Sequence, residues 1–162
     1  MVEVSEGAKG SVIVDDRYSP LVVSTFTGEV ELEQGRWYER VILEIIARSV
    51  SEGRRVASVH DTSGVTRTTA EMRQFWAEMS SRNGNTLESR TLANLVVVTN
   101  PLMRGVLTAV GWMNPKVASL RLFPSLDAAV TEALKLLRDA GTPVTLPAGG
   151  YRTPRSASIR PR

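Results

Sequence analysis

From residue 32 onward the chain alternates between helix-length amphipathic segments and short β-prone runs, and that alternation limits its fold more than any other feature. Trp37, Val41, Ile45 and Ile46 recur at helical spacing, with Arg36, Glu39, Arg40, Glu44 and Arg48 on much of the other face. Residues 32 to 50 are therefore expected to form a long helix ended by Gly53. Val56 to His60 reads as a strand, and Thr69 to about Ser80 as a second helix with Met72, Phe75, Trp76 and Met79 on one side. Arg82-Asn83-Gly84-Asn85 is expected to break the chain before its most apolar strand, Leu92 to Thr99. Asn100-Pro101 suits the start of a short helix with Leu102, Met103, Val106, Leu107 and Val110 along one face, and a strand follows from Val117 to Phe123. Ser125 is placed to cap a last helix whose Leu126, Val130, Ala133, Leu134 and Leu137 face inward, and which stops before Gly141-Thr142-Pro143.

Ahead of this series, residues 11–17 and 20–30 read as two β-prone runs split by the turn signal Ser19-Pro20, an antiparallel pair. The expected order is β-β-α-β-α-β-α-β-α. Strands separated by single helices imply right-handed crossovers, hence an α/β fold with a mixed, largely parallel sheet, about four helices and one antiparallel edge. With 162 residues, 42% of them hydrophobic, the chain suits one core. Its expected organisation is an N-terminal extension at 1–10, a domain at 11–141 and a flexible basic tail at 142–162, rich in Pro, Ser, Gly and Arg.

Composition removes several classes of function. There is no cysteine and one histidine, which excludes disulfides and argues against a metal site; no cofactor is expected. The formal charge of +3 falls to −1 for residues 1–151 once Arg152, Arg155, Arg160 and Arg162 are set aside, so the folded part lacks the basic balance of a nucleic-acid-binding body. The start carries acidic residues and no apolar run reaches the roughly 18 residues of a membrane span, which points to the cytoplasm. Neither GxxxxGK[ST] nor GxGxxG occurs, so nucleotide binding has no motif support.

The residues most suggestive of function lie between Asp61 and Thr69. A polar turn, Thr62-Ser63-Gly64, is expected to feed a helix start where Thr68 and Glu71 fit a capping box. Hydroxyls at a helix N-terminus cap it, and they also suit a phosphorylatable switch, because a phosphate there meets unpaired N–H groups and a favourable dipole. His60, Asp61 and Ser63 do not make a catalytic triad, since neighbours on an extended strand point to opposite faces; no catalytic residue is assigned. Asp61 is expected to bond its own backbone two residues on. Phe75, Trp76, Trp112 and Met113 offer either core packing or an apolar ligand pocket.

The element order, the strand ending in Asp61-Thr62-Ser63-Gly64-Val65 and the hydroxyl-rich start of the next helix resemble the STAS family. That family comprises the sulfate-transporter and anti-sigma-factor-antagonist domains, with the broader SpoIIAA-like group. The resemblance covers roughly residues 11 to 140. In regulatory members a serine or threonine in the following Asp-Ser-Ser-Gly-like turn is phosphorylated by a partner kinase. Thr68-Thr69-Ala70 occupies that place here, without the second Asp and the Gly. The resemblance implies a non-enzymatic protein-interaction module of a bacterial signalling system. Asp61, Ser63, Thr66, Thr68 and Thr69 would form its switch loop, and a regulatory kinase or scaffold-like protein would be its partner. The alternative is a small apolar-ligand, lipid-like binding protein of SpoIIAA-like architecture.

Overall fold

A computed structural model describes residues 1–101, 103–105, 107, 108 and 120–155. The expectations at Leu102, Val106, Val110, Trp112 and Met113, the strand start at Val117 and residues 156–162 of the tail lie outside that set. The described elements are β1 (Val2–Glu6), β2 (Gly10–Tyr18), β3 (Leu21–Glu29), α1 (Leu32–Ser51), β4 (Val56–Arg67), α2 (Ala70–Arg90), β5 (Thr91–Val97), β6 (Arg121–Phe123) and α3 (Leu126–Asp139). Residues 101, 103–105, 107 and 108 are helical between β5 and β6. The strands make one mixed sheet in the order β1-β2-β3-β4-β5-β6. β1–β2 and β2–β3 are antiparallel; β3–β4, β4–β5 and β5–β6 are parallel.

The α/β order is as expected from β2 onward, and β1 is an addition. Residues 2–6 pair with β2 from Val2↔Asp15 to Glu6↔Ser11, so the segment expected as an extension is an edge strand. Its two valines alternate with polar residues and stay half-buried, a pattern suited to an edge with one wet face. The buried amide of Gln34, in the first turn of α1, secures it. Nε2 donates to the carbonyls of Ser5 and Gly10, both at 3.0 Å, and Oε1 accepts from the Glu31 backbone N–H at 2.9 Å.

Period-two alternation sends the strand side chains to two cores. On one face Val12, Val14, Val22, Phe26, Val56 and Val96 meet Tyr38, Val41, Ile42, Ile45 and Ile46 of α1 and Met72 and Phe75 of α2. On the other, Leu21, Val23, Ala57, Val59, Leu95 and Val97 meet Ala129, Val130, Ala133 and Leu137 of α3. Ser125 caps α3 as expected, its Oγ accepting from the Ala128 N–H at 3.2 Å. Gly35 lets α1 and α2 approach closely: a Cβ there would lie 2.9 Å from Phe75 Cε1 and 3.1 Å from Met72 Cε.

Two expectations are corrected. α2 does not stop near Ser80; it continues through Arg82-Asn83-Gly84-Asn85 to Arg90. A mid-helix glycine costs about 1 kcal/mol against alanine, but tertiary bonds hold this stretch. Arg82 Nη2 donates to Glu39 Oε2 of α1 at 3.0 Å and Asn83 Nδ2 to Glu39 Oε1 at 2.6 Å. The tail after residue 141 is likewise not a free arm up to Tyr151. Val144 and Leu146 pack on the α3 face, and buried Tyr151 donates its hydroxyl to Asp15 Oδ2 at 3.0 Å. Asp15 also accepts from Arg17 Nε and Nη2 at 2.9 and 2.7 Å. Burial beside this carboxylate pushes the Tyr151 phenol pKa up, and Asp15 raises that of Arg17.

Candidate functional site

β4 does not end at His60. It runs to Arg67, and the segment expected as a polar turn is strand that slips twice against β3. Thr25↔Asp61 is followed by Thr27↔Gly64, and Gly28↔Val65 by Glu29↔Arg67, so β4 contributes one extra residue at each slip. Such bulges twist a strand and re-aim its side chains. Here Ser63 and Thr66 are left exposed. The Asp, Ser, Thr and Gly residues that signal a turn also suit a bulge, which is why the two look alike in sequence.

Local bonds hold this conformation. Asp61 is buried, and its Oδ1 accepts from the Ser63 backbone N–H at 3.0 Å, the bond expected of it. Thr62 donates its hydroxyl to the Val97 carbonyl of β5 at 2.6 Å. At Gly64 a Cβ would stand 2.4 Å from Thr27 Cγ2 and 3.1 Å from the Phe26 carbonyl, so a side chain there would force β3 and β4 apart.

The helix start is displaced by one residue from the expected capping box. Thr69, not Thr68, is the N-cap, its Oγ1 accepting from the Met72 N–H at 3.1 Å. That bond satisfies one of the orphan donors of the first turn. Half-buried Thr68 instead offers its carbonyl to Arg73 Nη1 at 3.2 Å.

Sheet pairing brings further polar groups to the same end of β4. Arg67 Nη1 and Lys9 Nζ each lie 3.5 Å from the Glu29 carboxylate, and the Ser11 and Thr27 hydroxyls are 2.7 Å apart. Asn100 joins from beyond β5: Nδ2 donates to the Val65 carbonyl at 3.3 Å and Oδ1 accepts from the Met103 N–H at 2.8 Å. Lys9, Glu29 and Asn100 lie far from Asp61 to Thr69 in sequence, and only the strand register reveals that they are neighbours.

His60 and Asp61 have separate partners. His60 Nδ1 lies 3.1 Å from the Tyr38 hydroxyl on the α1 side, and burial lowers the imidazole pKa to about 4, so the ring is neutral at physiological pH. Burial also pushes the Tyr38 phenol up. Both line a cavity of about 490 Å³ between the sheet and α1 and α2, with Ser58, Met72, Trp76 and Asn94. Of the residues expected in a pocket, Trp76 lines this cavity. Phe75 does not; it packs over Gly35 of α1, edge-to-face with Trp76 at 5.1 Å. Among the described residues no group of three or more His, Asp or Glu is arranged to hold a metal ion, and no helix is long and apolar enough to cross a membrane.

No family model and no curated protein matches the sequence. Solved structures do match the fold. An anti-sigma factor antagonist from Mycobacterium paratuberculosis superposes with a TM-score of 0.54 at 21% identity, covering 81% of this chain and 94% of that one. An uncharacterised DUF3478-family protein with a SpoIIAA-like fold, from Shewanella loihica PV-4, superposes with a TM-score of 0.51 at 7% identity, covering 82% and 92%. The chain therefore carries a domain of the STAS/SpoIIAA-like fold, in agreement with the resemblance carried by Asp61 to Val65 and the element order.

Proposed function

We propose that this chain is a regulatory protein-interaction module of the anti-sigma-factor-antagonist type. It binds a protein partner through the bulged end of β4 and the exposed side of α2, and phosphorylation at Thr69, or at Thr68 beside it, by a partner kinase changes that affinity. The observation that carries the reading is the pair of bulges that leaves Ser63 and Thr66 exposed next to the cap at Thr69. The fold shared with an anti-sigma factor antagonist supports the same reading. A phosphate on Thr69 would keep oxygens at the helix N-terminus while adding about two negative charges to this surface, with Arg67 and Arg73 nearby. The helix would survive the modification and the surface would change.

The test separates those two effects. Thr69→Ala removes the capping oxygen and is expected to cost about 1 kcal/mol of stability, whereas Thr69→Asp retains a cap. With a partner recovered from the host's own extract on wild-type bait, Thr69→Asp is expected to shift affinity at least tenfold, about 1.4 kcal/mol, at near wild-type stability. Mass spectrometry of the protein purified from its host should find phosphate on Thr68 or Thr69. Equal binding by wild type, Ala and Asp forms would leave Thr69 as a helix cap alone.

A further inference from the structure

β3, β4 and β5 run parallel and start at one end of the sheet, and the sequence puts arginines there. β2 ends at the same place in Arg17-Tyr18, through the pair Tyr18↔Leu21. α1 leads by way of Arg54 and Arg55 into β4, and α2 ends in Arg90 directly before β5. Arg54 Nη1 donates to the Ser19 carbonyl at 3.1 Å and Arg55 Nη2 to the Thr91 carbonyl at 2.6 Å, so the row follows the sheet's end from β2 to β5. A cation in the last turn of a helix suits its dipole, which accounts for Arg48, Arg90 and Arg138 at the ends of α1, α2 and α3. It does not account for Arg17, Arg54 and Arg55, which lie outside the helices.

Two of the acids at this end are turned away from water. The side chains of Arg17 and Arg48 are 42% and 47% exposed, while those of their partners Asp15 and Asp16 are 0% and 6% exposed. Each pair therefore shows solvent its guanidinium and hides its carboxylate. The exposed acids here are Glu52, which pairs with Arg54, then Glu88, and Asp139 beside exposed Arg138. Apolar side chains join the arginines. Of the large ones exposed among the described residues, Met1, Val50 and Leu122, the first two lie at this end. The Met1 ammonium shares Asp16 with Arg48, and Val50 is in the last turn of α1. Half-buried Tyr18 carries the Arg17 guanidinium over its ring at 5.3 Å. The chain also leaves the domain here. Tyr151 packs edge-to-face on Tyr18 with ring centroids 6.2 Å apart, and Arg152 and Arg155 follow, both exposed. Residues 152–162 hold four arginines and no acid.

We propose that this end of the sheet docks on the surface of an anionic lipid bilayer, with its arginines and the basic segment after Tyr151 against the headgroups and Met1 and Val50 entering the interface. Anionic headgroups attract clustered basic residues, and arginine can bury its stem while the charged head stays wet. Apolar side chains gain by entering the boundary between headgroups and acyl chains. Surface attachment without a membrane span takes two such signals, and both meet at this end. A nucleic acid would use the charge and leave Met1 and Val50 without a role. β4 runs from this end to the bulges, so a docked domain holds Asp61 to Thr69 away from the bilayer. The surface is separate from that site and stands or falls independently of the partner-binding reading.

Cosedimentation of the full chain with vesicles tests this, using phosphatidylcholine alone and phosphatidylcholine with about 30% phosphatidylglycerol. Binding to the anionic vesicles is expected to be at least tenfold tighter, and to weaken at least tenfold between about 0.05 and 0.5 M salt. Arg152→Gln with Arg155→Gln, and separately Arg55→Gln with Arg90→Gln, should each weaken it at least fivefold, and Val50→Gln at least threefold. These side chains are exposed, and a thermal melt checks that each variant is folded. Arg90→Gln with Arg138→Gln repeats the second test should the Arg55 variant not fold. Duplex DNA at equal charge concentration is the competing ligand. No binding to the anionic vesicles, equal binding to both kinds of vesicle, tighter binding to the DNA, or undiminished binding by any of the folded variants would each overturn the proposal.

Discussion

On the α3 face of the sheet, Leu21, Val23, Ala57, Val59, Leu95 and Val97 meet a helix whose inward residues are two alanines, a valine and a leucine, all nearly inaccessible. On the α1–α2 face, the same three strands carry Ser24, Ser58, His60 and Asn94 among their apolar residues. Strand pairing sets Ser24 beside His60 and Ser58 beside Asn94. The first face is a dry core in which alanines let the helix lie close. The second is partly polar and holds a cavity, under a helix that buries few residues. Apolar close packing is thus unbroken on the α3 side of β4, while on the other side an extensive apolar core under α1 gives way, toward α2, to polar groups and a cavity.

That contrast can be broken most directly by truncating Leu137, which is fully buried against the sheet. Leu137→Ala is expected to cost about 2–5 kcal/mol by denaturant unfolding. Leu87→Ala, at the partly buried rim of the cavity, should cost less than half as much. Equal losses would remove the distinction between the faces.

Acid should act through the polar face. His60 binds its proton with a pKa of about 4 in the folded chain against about 6.5 unfolded, so between these values the unfolded state holds more protons. Stability is then expected to be complete above about pH 6.5 and to fall by up to roughly 3 kcal/mol as pH drops toward 4. His60→Gln should flatten that part of the pH profile. A wild-type profile that is level between pH 6.5 and 4 would place the imidazole in water.

The smallest effect belongs to the C-terminal strap on the α3 face. Tyr151→Phe deletes a hydrogen bond to a buried carboxylate that still keeps Arg17, and is expected to lower stability by about 1–2 kcal/mol. Thermal unfolding measures it directly, and an unchanged midpoint would show that the strap contributes through Val144 and Leu146 alone.

Periodicity and β-prone runs locate α1, α3, β2, β3, β5 and β4 as far as His60, because each turns apolar side chains toward a core. Features decided by distant partners were not legible. Nothing local in Arg82 to Asn85 anticipates that Glu39 will hold those residues helical. The short alternation of Val2 and Val4 has meaning only beside β2. Tyr151 sits in a segment of disorder-like composition, and its partner Asp15 is 136 residues away. At the candidate site the segment Asp61 to Thr69 stands out in the sequence by its composition, but its geometry does not. Hydroxyl and glycine side chains signal a departure from regular backbone without distinguishing a turn from a bulged strand.

The strand order has a consequence for how the molecule is made. Each strand lies beside the one that precedes it in the chain, so a polypeptide emerging from the ribosome N-terminus first meets, at every step, an edge already laid down. The antiparallel β1–β2–β3 meander needs only short-range closure, and each later strand requires the closure of a single crossover segment. Among the described residues the strap departs from these local steps, since Tyr151 meets Asp15 across 136 residues of sequence. The Tyr151–Asp15 bond can therefore form only once the segment that follows α3 has been made.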